Sequence, residues 1–179
     1  MGKFKAEIID SLYEDYQQEM YEAFDSRINY EMLQAEYEMQ MENLKEELEK
    51  CKVFFVYGTL QKGCGNHRLL KDAKFIGQAV TTDKYLQTIS GSIPYVNKNV
   101  KHSQIYGELY AIKSVDEMQS LDALESHPNW YKREVIETKL VSNLQTTYPA
   151  WIYFNDVSLG DDIIYDGDYK KYIKKNFKW

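Results

Sequence analysis

The chain has 179 residues, 22 Lys+Arg against 28 Asp+Glu, a formal charge of −6, and an aromatic content of 15% that includes 16 Tyr. That length predicts one domain with room for an appendage, and so many large apolar side chains exclude general disorder. The acidic balance argues against a general nucleic-acid binder, and no run approaches the roughly 20 apolar residues of a membrane span.

Residues 1–7 lack a continuous apolar core, so no secretion signal is read there. Cys51 and Cys64 stand in neither a Cys-rich framework nor a metal-ligand cluster, which predicts a reducing, cytoplasmic setting.

Residues 1–50 carry 14 Asp+Glu and 5 Lys+Arg, whereas 51–179 carry 14 and 17. Glycine and proline are absent between Lys3 and Tyr57, and Glu, Met, Leu, Gln and Ala predominate. These side chains lose little rotamer freedom in a helix, so an acidic helical extension is expected over 1–50, ahead of a domain over 51–179. Tyr30, Leu33, Tyr37, Met41, Leu44 and Leu48 step by three or four and mark one helix face. A single helix over 4–50 would run about 70 Å, too long to bury its stripe on a domain of 129 residues. It therefore either breaks near Asp25-Ser26-Arg27 into a hairpin or pairs with another copy as a coiled coil; a solvated extension is the remaining reading.

Strands are predicted at Val53–Tyr57, Lys74–Val80, Gln104–Ile112, Trp130–Val141 and Tyr148–Phe154. Helices are predicted at Asn66–Lys71, Val115–Leu124 and Tyr169–Lys174, and residues 83–103 and 155–168 read as loops. Most strands follow one another without a helix between them, which favours an α+β fold with a small mixed or antiparallel barrel.

Two features carry chemistry. At 100° per residue from Val115, the stripe Val115, Met118, Leu121 and Leu124 centres near 270°, and Glu125 falls at about 280°. His127-Pro128 ends the helix there. A carboxyl so placed is either shielded, with the raised pKa of a general base, or swings to solvent or to Arg133. The second feature is Tyr57-Gly58-Thr59-Leu60-Gln61-Lys62-Gly63, a strand feeding a glycine turn. Its backbone N–H groups can hold a carboxylate or an oxyanion, or it is an ordinary loop. It is not a phosphate loop, because Cys64-Gly65 stands where Lys-Ser/Thr should follow.

Other residues read as structural. Asn66 is a plausible cap with His67 its neighbour, Asp122 lies at the stripe's edge facing solvent, and the three His are too scattered for a metal site. His127 is close enough in sequence to tune Glu125. Lys170, Lys171, Lys174, Lys175 and Lys178, interleaved with Tyr169, Tyr172, Phe177 and Trp179, read as the solvated face of a closing helix.

Val56-Tyr57-Gly58-Thr59-Leu60, Gly63 and Asn66-His67-Arg68-x-Leu70 resemble the opening of the γ-glutamylcyclotransferase-like superfamily. The likeness continues through Ser92-Ile93-Pro94-Tyr95, Gly107–Ile112, Leu121–Glu125 with Pro128, Tyr131-x-Arg133-x-Val135, Ala150–Tyr153 and Asp166–Tyr169. The ordered set spans about 52–175 and is most similar to the γ-glutamylamine cyclotransferase branch. The resemblance implies a small barrel flanked by helices and a reaction without cofactor. The substrate's α-amine attacks its own γ-amide, releasing 5-oxoproline and an amine. It implies Glu125 as the acid–base group, Gly58, Thr59 and Leu60 as substrate-binding amides, and Tyr57 as a wall. Tyr131, Tyr169 and Arg133 are implied pocket neighbours. Ser126 departs from the family, where glycine commonly follows the glutamate, and the acidic extension lies outside its usual domain. The alternatives are a non-catalytic small-ligand protein on the same scaffold and an assembly module acting through the N-terminal helix.

Overall fold

The computed structural model describes the backbone of residues 2–177 and the side chains of 18, 22 and 24–177. Lys178 and Trp179 of the basic run lie outside the described residues. The chain divides into two units, Met1–Leu44 and Lys45–Trp179.

Helix α1 runs Gly2–Lys50 without interruption. The break expected at Asp25-Ser26-Arg27 does not occur: Ser26 donates its hydroxyl back to Glu22 O at 2.8 Å, and Arg27 pairs with Glu31 at 3.1 Å. Both contacts are made inside a helix that continues past them, so no cap forms. Phe24, Tyr30, Leu33 and Tyr37 are exposed along it. No described helix is long and apolar enough to cross a membrane.

The second unit is built on strands β1 (Val53–Val56), β2 (Lys74–Thr81), β3 (Leu86–Ser90), β4 (Ile93–Asn97), β5 (Tyr106–Ala111), β6 (Lys132–Leu140), β7 (Asn143–Phe154) and β8 (Asp162–Ile163). A 3-10 turn spans His67–Leu70, helix α2 spans Val115–Leu124 and helix α3 spans Tyr169–Asn176. Strands β1-β5-β2-β6-β7 close a barrel, and β4-β3-β8 form a separate small sheet. All barrel pairings are antiparallel except β1 with β7, joined at Phe54 and Trp151, so the barrel is mixed.

Alternation along the strands sends Phe55, Ala79, Leu109, Ala150 and Ile152 into one buried cluster. Removing such side chains from water supplies the main driving force for closure. A smaller cluster of Ile89, Ile164, Tyr169 and Ile173 seats α3 against the small sheet.

The small sheet corrects the loop reading of 83–103 and 155–168. Ser90 pairs with Ile93, so Gly91-Ser92 is a two-residue hairpin turn, with Gly91 at φ 58°. These strands carry Gln87, Thr88 and Pro94 in buried positions, so no apolar alternation advertises them. Strand β7 likewise begins at Asn143 rather than Tyr148, because a tight turn pairs Leu140 with Asn143.

Candidate active site

Helix α2 starts at Ser114, whose hydroxyl accepts the Glu117 N–H at 3.3 Å. It buries Met118 and Leu121 and ends with Glu125 as its C-terminal cap. Beyond Glu125 the chain folds back in a paired closure. His127 N–H reaches Asp122 O at 2.9 Å and Ser126 N–H reaches Ala123 O at 3.2 Å. This closure needs a left-handed residue just past the cap, usually glycine, and Ser126 takes it at φ 50°. The closure stops the helix at the position that keeps Glu125 on its inner stripe.

Glu125 then faces a cavity of about 250 Å³ lined by Tyr57, Gly58, Thr59, Leu60, Tyr131 and Tyr153 among others. Burial first, and the nearby Asp122 second, push its carboxyl up to about 7. No donor among the described residues hydrogen-bonds that carboxyl, so nothing offsets its loss of water.

The glycine loop forms another part of the wall. Gln61 N–H turns back to Gly58 O at 3.1 Å, and Asn66 N–H closes on Thr59 O at 3.0 Å. Among the described residues the amides of Gly58, Thr59 and Leu60 donate to no protein acceptor. A Cβ at Gly58 would lie 2.5 Å from Pro94 Cγ, so β4 packs against the loop backbone itself. Asn66 is the 3-10 turn's cap by position, but its side chain donates to Thr59 Oγ1 at 3.0 Å instead of capping. His67 Nδ1 donates to Leu60 O at 3.1 Å, a bracing contact.

Tyr57 donates to Tyr153 O at 2.7 Å, and Tyr131 donates to Pro94 O at 3.0 Å. Burial raises both phenols, and the Glu125 charge adds to the effect. Tyr131 also stacks on Tyr95 at 6.0 Å. Ile93, Leu124 and Trp130 line the same cavity and remain partly exposed, giving it an apolar rim.

Four expectations need correction. Tyr169 does not line the Glu125 cavity. Its hydroxyl donates to Ser92 O at 2.9 Å, and it borders a separate cavity that shares only Thr59 and Asn66 with the first. Arg133 contacts neither Glu125 nor the cavity, because Asp122 and Glu47 hold its guanidinium. Asp122 is not solvated: it takes Arg133 through two hydrogen bonds and the Tyr153 hydroxyl at 2.6 Å. His127 makes no hydrogen bond to Glu125; its Nδ1 accepts the Arg133 N–H at 3.1 Å. No group of three or more metal-ligating side chains occurs among the described residues.

The closed mixed barrel thus brings a shielded carboxyl and a row of unpaired amides to one cavity. Residues 54–171 match the family described as γ-glutamyl cyclotransferase, AIG2-like, and the chain belongs to that enzyme family. It is 43% identical over 121 residues to a Methanocaldococcus jannaschii protein provisionally named a γ-glutamylcyclotransferase, covering 66% of this chain and 95% of that one. It is 36% identical over 99 residues to the human γ-glutamylaminecyclotransferase, covering 50% and 63%. The crystal structure of a mouse AIG2-like protein shares the fold, with a TM-score of 0.59 at 22% identity, covering 65% of this chain and 86% of that one.

Proposed function

We propose that this chain is a γ-glutamylamine, or closely related γ-glutamyl, cyclotransferase that releases 5-oxoproline and a free amine. The observation that carries the reading is the pairing of a carboxyl pushed up to about 7 with three unpaired amides in one cavity of about 250 Å³. The amides of Gly58, Thr59 and Leu60 supply donors for the substrate's α-carboxylate and for the oxyanion that forms on the γ-carbonyl.

Glu125, as its carboxylate, takes a proton from the α-ammonium. The freed amine attacks the γ-carbonyl carbon and the lactam C–N bond forms. The γ-amide C–N bond breaks as the protonated Glu125 delivers its proton to the departing nitrogen, and the ring nitrogen's second proton passes by the regenerated carboxylate to the released amine, which leaves as its ammonium. No water is consumed and no electron is transferred. Nucleophile and electrophile share one molecule, so holding the cyclising conformer gives most of the advantage and no cofactor is called for. Tyr57 and Tyr131 keep their protons and shape the wall.

The test is 5-oxoproline release from a panel of γ-glutamyl amines and γ-glutamyl amino acids. Glu125→Gln is expected to lose at least about 100-fold in kcat while staying folded. A Gln variant as active as wild type would sink the assignment.

A second role, assembly through α1, is favoured by the exposed Tyr30, Leu33 and Tyr37 at helical spacing. We assign this face to a second copy of the chain. Sedimentation should show a dimer that Leu33→Glu/Tyr37→Glu dissociates; a monomeric wild type removes this role without touching the catalytic one.

A further inference from the structure

A buried carboxylate with no part in the acid–base step sits beneath the amide loop. Glu108, on β5, is only 4% exposed. Strand alternation sends Leu109 into the barrel cluster and leaves Glu108 and Tyr110 on the other face. An ionised carboxylate removed from water there is costly unless donors surround it. Three do. Lys62 N–H reaches Oε2 at 2.7 Å, the Tyr110 hydroxyl reaches the same oxygen at 2.9 Å, and Lys170 Nζ of α3 reaches Oε1 at 2.6 Å.

Lys62 lies two residues beyond Leu60. The loop's other ordering bonds stay within residues 58–67: Gln61 N–H to Gly58 O, Cys64 N–H to Gln61 O, Asn66 N–H to Thr59 O, Asn66 Nδ2 to Thr59 Oγ1 and His67 Nδ1 to Leu60 O. Such a loop could keep these bonds and still tilt as a unit. Among the described residues, Glu108 is the one side chain that accepts a backbone amide of residues 58–65, so it ties the loop to the barrel wall. The bond is charge-assisted, and the Lys170 Nζ on Oε1 orients the carboxylate.

We propose that Glu108 is a positioning residue. By accepting the Lys62 N–H while paired with Lys170, it fixes the orientation in which the Gly58, Thr59 and Leu60 amides stay free at the cavity wall. The role rests on the reading of those amides as substrate donors. It also explains a glutamate in the Gly107-Glu108-Leu109-Tyr110 segment, where an outward strand position beneath a loop could equally hold an apolar residue.

Two charge-balanced variants of the full chain isolate the contact. Glu108→Gln/Lys170→Met keeps an oxygen for the Lys62 N–H, and Glu108→Leu/Lys170→Met removes it. The readouts are amide hydrogen exchange across 58–65, 5-oxoproline affinity by calorimetry, and melting temperature. The Gln pair should keep the protection of Gln61 and Cys64 and bind 5-oxoproline within about threefold of wild type. The Leu pair should exchange those amides about tenfold faster and bind about tenfold more weakly, at a similar melting temperature, the expected effect of losing one charge-assisted bond. A folded Leu pair that matches the Gln pair in both readouts overturns the proposal. If the Leu pair does not fold, Glu108→Asp, which keeps the charge and withdraws the oxygen by one methylene, serves in its place with the same expected losses. A wild type that neither binds nor releases 5-oxoproline overturns the cyclotransferase reading instead, and the exchange comparison still decides the role of Glu108.

Discussion

Arg133 grips Asp122 at both ends of its carboxylate, Nε to Oδ1 at 2.9 Å and Nη2 to Oδ2 at 3.1 Å, and so separates the two carboxyls at the end of α2. Asp122 is paired and takes the Tyr153 hydroxyl as well. Glu125, three residues on, has burial but no partner, and the Asp122 charge adds to its affinity for a proton. A buried carboxyl raised towards neutral pH, with no partner to hold its charge, is an arrangement suited to acid–base chemistry.

The first prediction concerns pH. Glu125 holds its proton to about pH 7 in the folded chain, against an ordinary value of 4.5. The rate constant kcat/KM should therefore rise with pH through a midpoint near 7 as the base is unmasked. Stability runs the other way. Between 4.5 and 7 the native state holds the extra proton, so stability is full below that window and falls as pH rises through it. The window corresponds to about 3 kcal/mol. Glu125→Gln should thus be more stable than wild type at pH 8, by roughly 1–3 kcal/mol, and equal to it at pH 4. Urea unfolding at the two pH values checks this, and a variant no more stable at pH 8 contradicts a shielded Glu125.

Arg133 has a side chain only 2% exposed, is held by Asp122 and Glu47, and lies over the Trp151 ring at 4.6 Å. Arg133→Met strands the Asp122 charge and is expected to cost about 3–5 kcal/mol. Adding Asp122→Leu should recover most of that loss, because a buried pair removed whole costs far less than a pair broken. A double variant no more stable than the single would mean that the guanidinium packing, and not its charge, matters.

Ser126 occupies the left-handed region at φ 50° to close α2. That conformation costs a residue with a Cβ about 1 kcal/mol or more, and a branched side chain more still. Ser126→Gly should hold or raise stability by up to about 1 kcal/mol, and Ser126→Val should lower it by about 1–2 kcal/mol. Because the closure positions Glu125, the Val variant should also lose kcat. Denaturation and kinetics on the two variants check both points.

Much of this site was legible in the residue order. The helical phase of Val115, Met118 and Leu121 aimed Glu125 inward, and the strand ending in Tyr57-Gly58 announced a loop of exposed amides. Both signals are local, because the spacing of side chains along a helix or strand fixes which face they share. The Gly91-Ser92 hairpin carries no such signal, since its flanking strands bury Gln87 and Thr88 and show no apolar alternation.

The partners of charged groups were not local and could not be read that way. Asp122 sits at the stripe's edge in phase, and only closure of the barrel brings Arg133 of β6 and Tyr153 of β7 to it. Tyr169 carries a family motif, yet its seat in the cluster with Ile89 and Ile164 turns it towards Ser92 and away from Glu125. Glu108 gives no sign in sequence of its bond to the Lys62 amide, 46 residues away. Residue order alone sets the barrel class, the end of α2 and the inward aim of Glu125, because periodicity and chain stops act within a few residues. Only the folded barrel sets which carboxyl is paired and which is left without a partner, because ion pairing and loss of water depend on side chains that barrel closure brings together.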